Sequence, residues 1–348
     1  MCAKSVQSHR KDEHLFLAEK FFTQQAKSDF EQVRFIHQSL PESRLADVDL
    51  TTHFAGFTLP LPLYINAMTG GSAQAQKLNA GLAQVAAALH IPMATGSLSI
   101  ALKEPETVAS FQVTRQHDQR GLLFANLGAD VTVAQAQQAI DVLQADALQL
   151  HLNAPQELVM PEGDQSFRWL DNLQTLRQQI TVPIIVKEVG FGMSQETLAK
   201  LTSIGIETVD VSGRGGTNFI QIENERRHQH DYSYLADWGQ STVESLLESQ
   251  ASQKHLTILA SGGIRTPLDA VKALRLGAQA VGMSGTILHA LQHHDVTAVI
   301  AWLQDWCQQL RGLFALLGCH DLTALRHAPI VLDAALLNYC QQRHITVL

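Results

Sequence analysis

Short apolar runs recur along this chain, each ending in small or polar residues. They are "LPLYINA" (61–67), "IPMATGS" (91–97), "GLLFANLG" (121–128), "ADALQLHLN" (145–153), "VPIIVKEVG" (182–190), "IETVDVSG" (206–213), "LTILASGG" (256–263) and "AQAVGMSG" (278–285). Each has the length of a buried strand. Between most of them lie segments of helical period rich in Ala, Leu and Gln, such as "AQKLNAGLAQVAAALH" (75–90) and "TPLDAVKALRLG" (266–277). In the second, Thr266 is placed to cap, Pro267 opens the helix and Gly277 ends it. Strands alternating with helices predict an α/β fold. Eight of them favour a (β/α)8 TIM barrel over the competing doubly wound open sheet.

Three segments fall outside the repeat, and the whole of 1–348 reads as one domain. Residues 1–60 form an N-terminal extension, with a charged helical start and a short strand pair expected to close the barrel bottom. The barrel strands occupy 61–285. The interval 214–255 predicts a long loop after strand 6, placed to act as a lid. Residues 286–348 read as amphipathic C-terminal helices, as in "VTAVIAWLQDWCQQLRGLFALLG".

Composition narrows the function. Apolar residues make up 45% and charged residues 17%, which is ordinary for a folded domain. Net charge is −8 with neutral histidines, so no basic stripe meets a nucleic acid. Cys2, Cys307, Cys319 and Cys340 form no CxxC pair and have no zinc-site spacing, so reduced thiols in a cytoplasmic protein are expected. No apolar stretch approaches eighteen residues, and the first residues have no apolar signal core, so neither a membrane span nor a secretory leader is expected.

In such a barrel, chemistry sits at the C-terminal strand ends. "SGGIRTP" follows an apolar run and leads into a helix. Gly262 and Gly263 let backbone N–H groups approach an anion, Arg265 adds charge, and "GMSG" with Ser284 and Gly285 is expected beside them. A tight turn without ligand is the plain alternative. Lys187 ends a Val/Ile run, so it faces the barrel mouth, where it holds negative charge or forms a Schiff base; otherwise it merely pairs with Glu188. The stretch "HLNAPQE" places His151, Asn153, Gln156 and Glu157 within seven residues. Its one carboxylate, Glu157, suits a Mg2+ that shares its shell with water and phosphate. Gln156 can orient but not act as an acid or base. Arg10 and Lys11, in "SHRKDEH", read by themselves as a solvated helix start and matter only if that segment folds over the mouth.

The set "RKDEH", "INAMTGG", "ATGS", "HLNAPQE", "VKEVGFGMS", "DVSGRGGTNF", "ADWG" and "SGGIRTPLDAVKALRLGAQAVGMSG" closely resembles the type 2 isopentenyl diphosphate isomerase family. "HLNAPQE" together with "RKDEH" is specific; "SGGIR" alone is shared by many FMN-dependent barrels. The resemblance implies an enzyme that interconverts isopentenyl and dimethylallyl diphosphate with no net redox change. It implies reduced FMN, Mg2+, and NADPH or NADH as reductant. By its implication Arg10, Lys11, Ser97, His151 and Asn153 bind the diphosphate substrate, Gln156 lines the reacting carbons as the catalytic position, and Glu157 holds the metal. Ala67, Met68, Thr69, Ser97 and Asn126 would contact the isoalloxazine, with Lys187 near its N1 and O2. Ser212 and Thr217 would lie along the flavin tail, and Gly262, Gly263, Arg265, Ser284 and Gly285 around its phosphate. A homotetramer or homo-octamer is implied as well.

One departure concerns the loop after Ser97. Some members of the family carry an arginine two residues on, where this chain has Ser99, and Lys103 is the candidate to supply that charge. The rival reading is an FMN-dependent 2-hydroxy acid oxidase or dehydrogenase. That class needs a histidine base after strand six, and "SGRGGTN" has Arg214 and no histidine. A non-catalytic flavoprotein would need neither Glu157 nor the Arg10–Lys11 pair.

Overall fold

The computed structural model describes residues 6–23, 28–227, 229 and 231–347. Cys2 therefore lies outside the described residues. Helix α1 (Val6–Lys20) comes first, followed by strand β1 (Val33–Phe35) and the antiparallel hairpin β2 (Thr52–Phe54) and β3 (Phe57–Leu59). Eight parallel strands then close a barrel: β4 (Leu63–Ile65), β5 (Met93–Ala94), β6 (Leu123–Gly128), β7 (Ala147–Leu152), β8 (Ile184–Glu188), β9 (Thr208–Asp210), β10 (Thr257–Ser261) and β11 (Ala280–Met283). The ring closes where Val281 pairs with Leu63. This is the predicted (β/α)8 barrel. The strands are shorter than the apolar runs, because several runs continue past the ladder as the loops that carry the site. The run at 91–97 forms only Met93–Ala94 before it turns inward.

Strand geometry explains what lines the interior. Successive side chains alternate between faces. Leu148, Leu150, Val186, Val209 and Val281 face out to the helices. Phe124, Ala147, Ile185, Leu259 and Ala280 face in and form an apolar floor, plugged from below by Phe54 and Leu59 of the hairpin. The expected strand pair thus closes the bottom. Two residues further along β6, β7, β8 and β10 the inward positions turn polar: Asn126, Gln149, Lys187 and Ser261. Two further along β7 stands His151. The same period that builds the floor therefore delivers the polar groups to the mouth.

The outer layer comprises α2 (Ala73–Leu89), α3 (Ala109–His117), α4 (Val133–Leu143), α6 (Leu170–Gln179), α7 (Gln195–Ser203), α9 (Thr242–Glu248), α10 (Pro267–Arg275) and α11 (Gly285–His293). Thr266 caps α10 through a box with Asp269, and Gly277 follows its end at φ +114°, as the residues predict. Two short helices, α5 (Ala154–Val159) and α8 (Phe219–Arg226), sit in the connections after β7 and β9 and pack on each other. The interval expected as a long loop is thus partly helical. Asn218 caps α8 by accepting from Gln221 N, and Ile220 and Ile222 bury its inner face. The C-terminal part holds α12 (Val296–Leu316), α13 (Leu322–Leu325) and α14 (Ala334–Gln342), but it is not all helical. Strand β12 (Ile330–Leu332) pairs antiparallel with β1 and ties both extensions together. Cys307, Cys319 and Cys340 are free and buried.

Candidate active site

A cavity of about 780 Å³ opens at the C-terminal ends of the strands, and every site residue named from the sequence except Lys103 lines it. Arg10 and Lys11 reach it because α1 lies across the mouth and touches α8 and α11. Lys103 does not reach it: it is exposed, on the loop that returns to α3, so the charge expected from it is absent from the cavity.

One wall is built from backbone. Gly262 (φ +93°) and Gly263 (φ +77°) follow β10 in a conformation that disfavours side chains, and a Cβ at Gly262 would fall 2.2 Å from Gly213 O. Arg265 Nη2 donates to Gly215 O at 2.5 Å and locks this loop to the one after β9. Two helices start beside this wall, α10 and α11, and their ends differ. The N-terminus of α10 is occupied by its own box, in which Asp269 Oδ2 accepts from Thr266 N and Arg265 N. The N-terminus of α11 has no side-chain cap, and Ser284, Gly285 and Thr286 line the cavity there. A helix end left open, beside glycines and a guanidinium, offers N–H groups and positive charge to an anion.

The floor is a buried polar network. His151 Nδ1 lies 3.1 Å from Asn126 Oδ1; Asn126 Nδ2 donates to Gln149 Oε1 at 3.3 Å; Gln149 Nε2 donates to Asn66 Oδ1 at 3.3 Å. Asn66 Nδ2, Tyr64 Oη and Ser261 Oγ all donate to Asp210, at 2.7–2.8 Å to its Oδ2. Lys187 is buried above this carboxylate, and its Nζ donates to Glu188 O at 2.6 Å. Burial lowers the Lys187 pKa, while Asp210 and Glu188 oppose that. The side chains of Lys187 and Glu188 do not pair. Glu188 points the other way and accepts from the N–H groups of Val189 and Phe191. Lys187 is therefore left for the cavity. Thr69, which lines the cavity, has a buried hydroxyl with no partner, as a wall that awaits a polar ligand would.

The opposite wall is α5, with α8 behind it. Asn153 Nδ2 donates to Glu157 Oε1 at 2.8 Å, and Asp164 N donates to Glu157 Oε2 at 2.9 Å, so the carboxylate is oriented from both sides. Gln156 Nε2 donates to Glu223 Oε1 at 2.9 Å. Glu223 is fully buried; Arg226 Nη1 donates to its Oε2 at 2.5 Å, and His14 Nε2 lies 3.0 Å from its Oε1. Burial alone would raise this carboxyl's pKa, but the His14 contact, Gln156 and Arg226 outweigh it and hold the value at about 2. Burial, then Arg10, lower Lys11 to about 8, with Glu223 pulling the other way. Arg10 Nε is buried without a partner. Two adjacent cations, partly desolvated, form a wall that an anion would relieve. Burial, then Lys187 and Lys11, push His151 down to about 3, so its ring is neutral at physiological pH.

Sequence reading missed Glu223, Arg226, His14 and Asp210. The first two were visible as an i,i+3 acid–base pair in "NFIQIENER", once Asn218 is read as a cap and Ile220 and Ile222 as a buried face. Nothing local marks His14 or Asp210, since their partners are far off in sequence. Glu157 is also not the only carboxylate at this wall.

Comparisons with known proteins give the chain's relatives. A family model for FMN-dependent dehydrogenase matches residues 109–332. Among solved structures, a flavocytochrome b2 variant superposes with TM-score 0.66 at 18% identity over 94% of this chain and 92% of its own. A mandelate oxidase variant does so with TM-score 0.61 at 18% identity over 92% of each; both show the fold alone. Curated relatives are far closer in sequence. Proteins named isopentenyl-diphosphate delta-isomerase are 56% identical in Latilactobacillus sakei subsp. sakei, over 99% of both chains, and 53% identical in Lacticaseibacillus paracasei, over 98% of both. One from Staphylococcus haemolyticus is 47% identical over 97% of both. With full-length identity at this level and the family's motifs gathered around one cavity, the chain belongs to the FMN-dependent, type 2 family of isopentenyl-diphosphate delta-isomerases.

Proposed function

We propose that this chain interconverts isopentenyl diphosphate and dimethylallyl diphosphate, in isoprenoid biosynthesis, with reduced FMN and Mg2+ bound in the cavity. One observation carries the reading: the cavity has two anion-seeking walls on opposite sides. In the ring order, β7 stands four places from β11. The Gly262–Arg265 turn and the open end of α11 form one wall, and Arg10 and Lys11 approach the other beside α5. A flavin phosphate suits the first and a substrate diphosphate the second. A 2-hydroxy acid oxidase would need only the first anion site plus a histidine after β9, where this chain has Arg214.

The residues present fit both groups. Gly262, Gly263, Arg265, Ser284 and Gly285 would hold the FMN phosphate, Ser212 and Thr217 its tail, and Ala67, Met68, Thr69, Ser97 and Asn126 its ring. The partnerless Thr69 hydroxyl supports this. Glu157 would hold Mg2+, its carboxylate already oriented by Asn153 and the Asp164 N–H, in the way outer groups orient metal ligands. When bound, reduced FMN supplies the proton-exchanging group that this cavity's side chains lack. Lys187 stabilises negative charge at the floor. Gln156, held by Glu223, orients the alkene. Arg10, Lys11, His151 and Asn153 anchor the diphosphate, so binding energy remote from the reacting carbons fixes their position.

NADPH or NADH would reduce the flavin. A cytoplasmic homotetramer or homo-octamer completes the proposal; exposed Phe16, Leu40, Tyr234 and Trp238 offer apolar surface for such contacts, and no helix among the described residues is long and apolar enough to cross a membrane. The test is anaerobic incubation with FMN, NADPH, Mg2+ and isopentenyl diphosphate, followed by NMR. Dimethylallyl diphosphate formed only with reduced flavin and Mg2+ is the expected result. Bound, reduced FMN without product would overturn the proposal.

A further inference from the structure

Helix α1 meets the barrel at both its ends. Its first half brings Arg10, Lys11 and His14 to α5 and α8. Its last turn brings Glu19 to α11. There Glu19 Oε1 lies 2.8 Å from His289 Nδ1 and 2.9 Å from His293 Nε2. The two histidines occupy positions i and i+4 of α11, so their rings share one face, a turn apart. The His289 ring is stacked on Phe22 at 4.3 Å and lies 4.5 Å from the His293 ring, which limits how either can turn. The three ligand atoms lie within 4.8 Å of one another, and among the described residues no other trio of His, Cys, Asp and Glu does so.

We propose that Glu19, His289 and His293 form a second metal site, for a divalent transition ion of the Zn2+ class, and that the bound ion ties α1 to the barrel. The donor set decides the class. Two imidazoles and one carboxylate suit Zn2+, Co2+ or Ni2+, whereas Mg2+ selects oxygen alone. Paired histidines one helical turn apart are a recurrent way to hold zinc. Tetrahedral ligands at about 2.0 Å from the ion stand about 3.3 Å apart, so the two Glu19–histidine distances, 2.8 and 2.9 Å, need lengthen by only about half an ångström, and all three atoms already lie within 4.8 Å of one another. The group is half-buried with His293 exposed, so an ion can enter and water can take the fourth position. None of the three residues has a part in the proposed isomerisation. Because the ligands come from two elements, the ion binds more tightly when α1 is docked and so favours the docked state by mass action. That state is the one that presents Arg10 and Lys11 to the cavity.

The test uses the full chain loaded with FMN, in excess Mg2+, titrated with Co2+ as a visible-absorbing probe and then with Zn2+. Expected is one equivalent of Co2+ with a d–d band, displaced by Zn2+ and unchanged in Glu157→Gln. His293→Ala and Glu19→Gln should each weaken binding by at least about tenfold, since even outer-shell losses cost that much. FMN retention reports that both variants are folded. Zn2+ should also slow amide exchange across residues 10–20 in the parent chain and not in His293→Ala. No uptake, or equal affinity in both variants, would overturn the site and leave the trio as an ion pair. Uptake lost in the variants without slowed exchange in the parent would overturn the tie to α1.

Discussion

Gln156 Nε2 donates to a carboxylate that is wholly buried: Glu223 Oε1 lies 2.9 Å away. The side chains come from different helices, α5 and α8, and neither makes sense alone. A glutamine cannot hold its own amide orientation, and a buried carboxylate is costly unless paired. Arg226 and His14 complete the pairing from the other side. The arrangement predicts two separable phenotypes. Gln156→Ala should lower kcat with little loss of stability. Glu223→Gln should lower kcat by about a hundredfold through misplacement, and also cost about 1–3 kcal/mol by leaving the buried Nη1 of Arg226 against a neutral amide, although Arg226 keeps Glu13 and Glu162. Steady-state kinetics and denaturant melts of both variants check this; equal stability losses would contradict it.

Lys11 carries a pH dependence for anion binding. Its pKa of about 8 means the ammonium is full below that value and lost above it. Affinity for inorganic diphosphate, measured by calorimetry, should therefore fall as pH rises from 7 to 9. In Lys11→Met it should be weaker and should lack that fall.

His151 carries a pH dependence for stability. Its folded value of about 3 lies below the usual 6.5, so between these pH values the unfolded chain binds the extra proton. Stability is lost as pH falls through this window and unaffected above it. His151→Asn lacks this term. Its stability relative to the parent should improve on acidification from pH 6.5 to 4, by about 1.4 kcal/mol per pH unit at most. Urea midpoints across that range would show it, and a constant difference would refute it.

Gly262 tests the flavin cradle. Gly262→Ala forces a Cβ at φ +93° against Gly213 O. Strain of about 1–3 kcal/mol at that loop should weaken FMN binding by roughly tenfold to a hundredfold, read by fluorescence, while the far-UV circular dichroism stays that of the parent.

Lys187 tests the floor. Lys187→Gln removes the buried cation but keeps a donor of similar length. Turnover with reduced FMN and saturating substrate should fall by about 10²–10³-fold, with FMN affinity changed much less.

The barrel was legible because a strand's period of two and a helix's period of 3.6 are local properties. The apolar runs, the Thr266–Pro267 start and the glycines after β10 each declare themselves within a few residues. So do the groups at the strand ends, from Ala67 to Gly285, because a barrel gathers all such ends at one mouth. The family motifs carried the rest of the candidate site. Other features needed the chain to close on itself. Which strand end faces which, and so the opposed anion walls, follows from the ring order. The capping of α10 by Asp269 moves the open helix end to α11. The burial of Glu223 depends on α8 folding against α5, and the reach of Arg10 and Lys11 depends on α1 crossing the mouth. The pairing of His14 with Glu223, or of Glu19 with His289 and His293, spans more than two hundred residues. A sequence determines which side chains a strand or helix presents on each face. Which charges then share one low-dielectric space, and so which pKa values shift, is decided only when distant elements exclude water from between them.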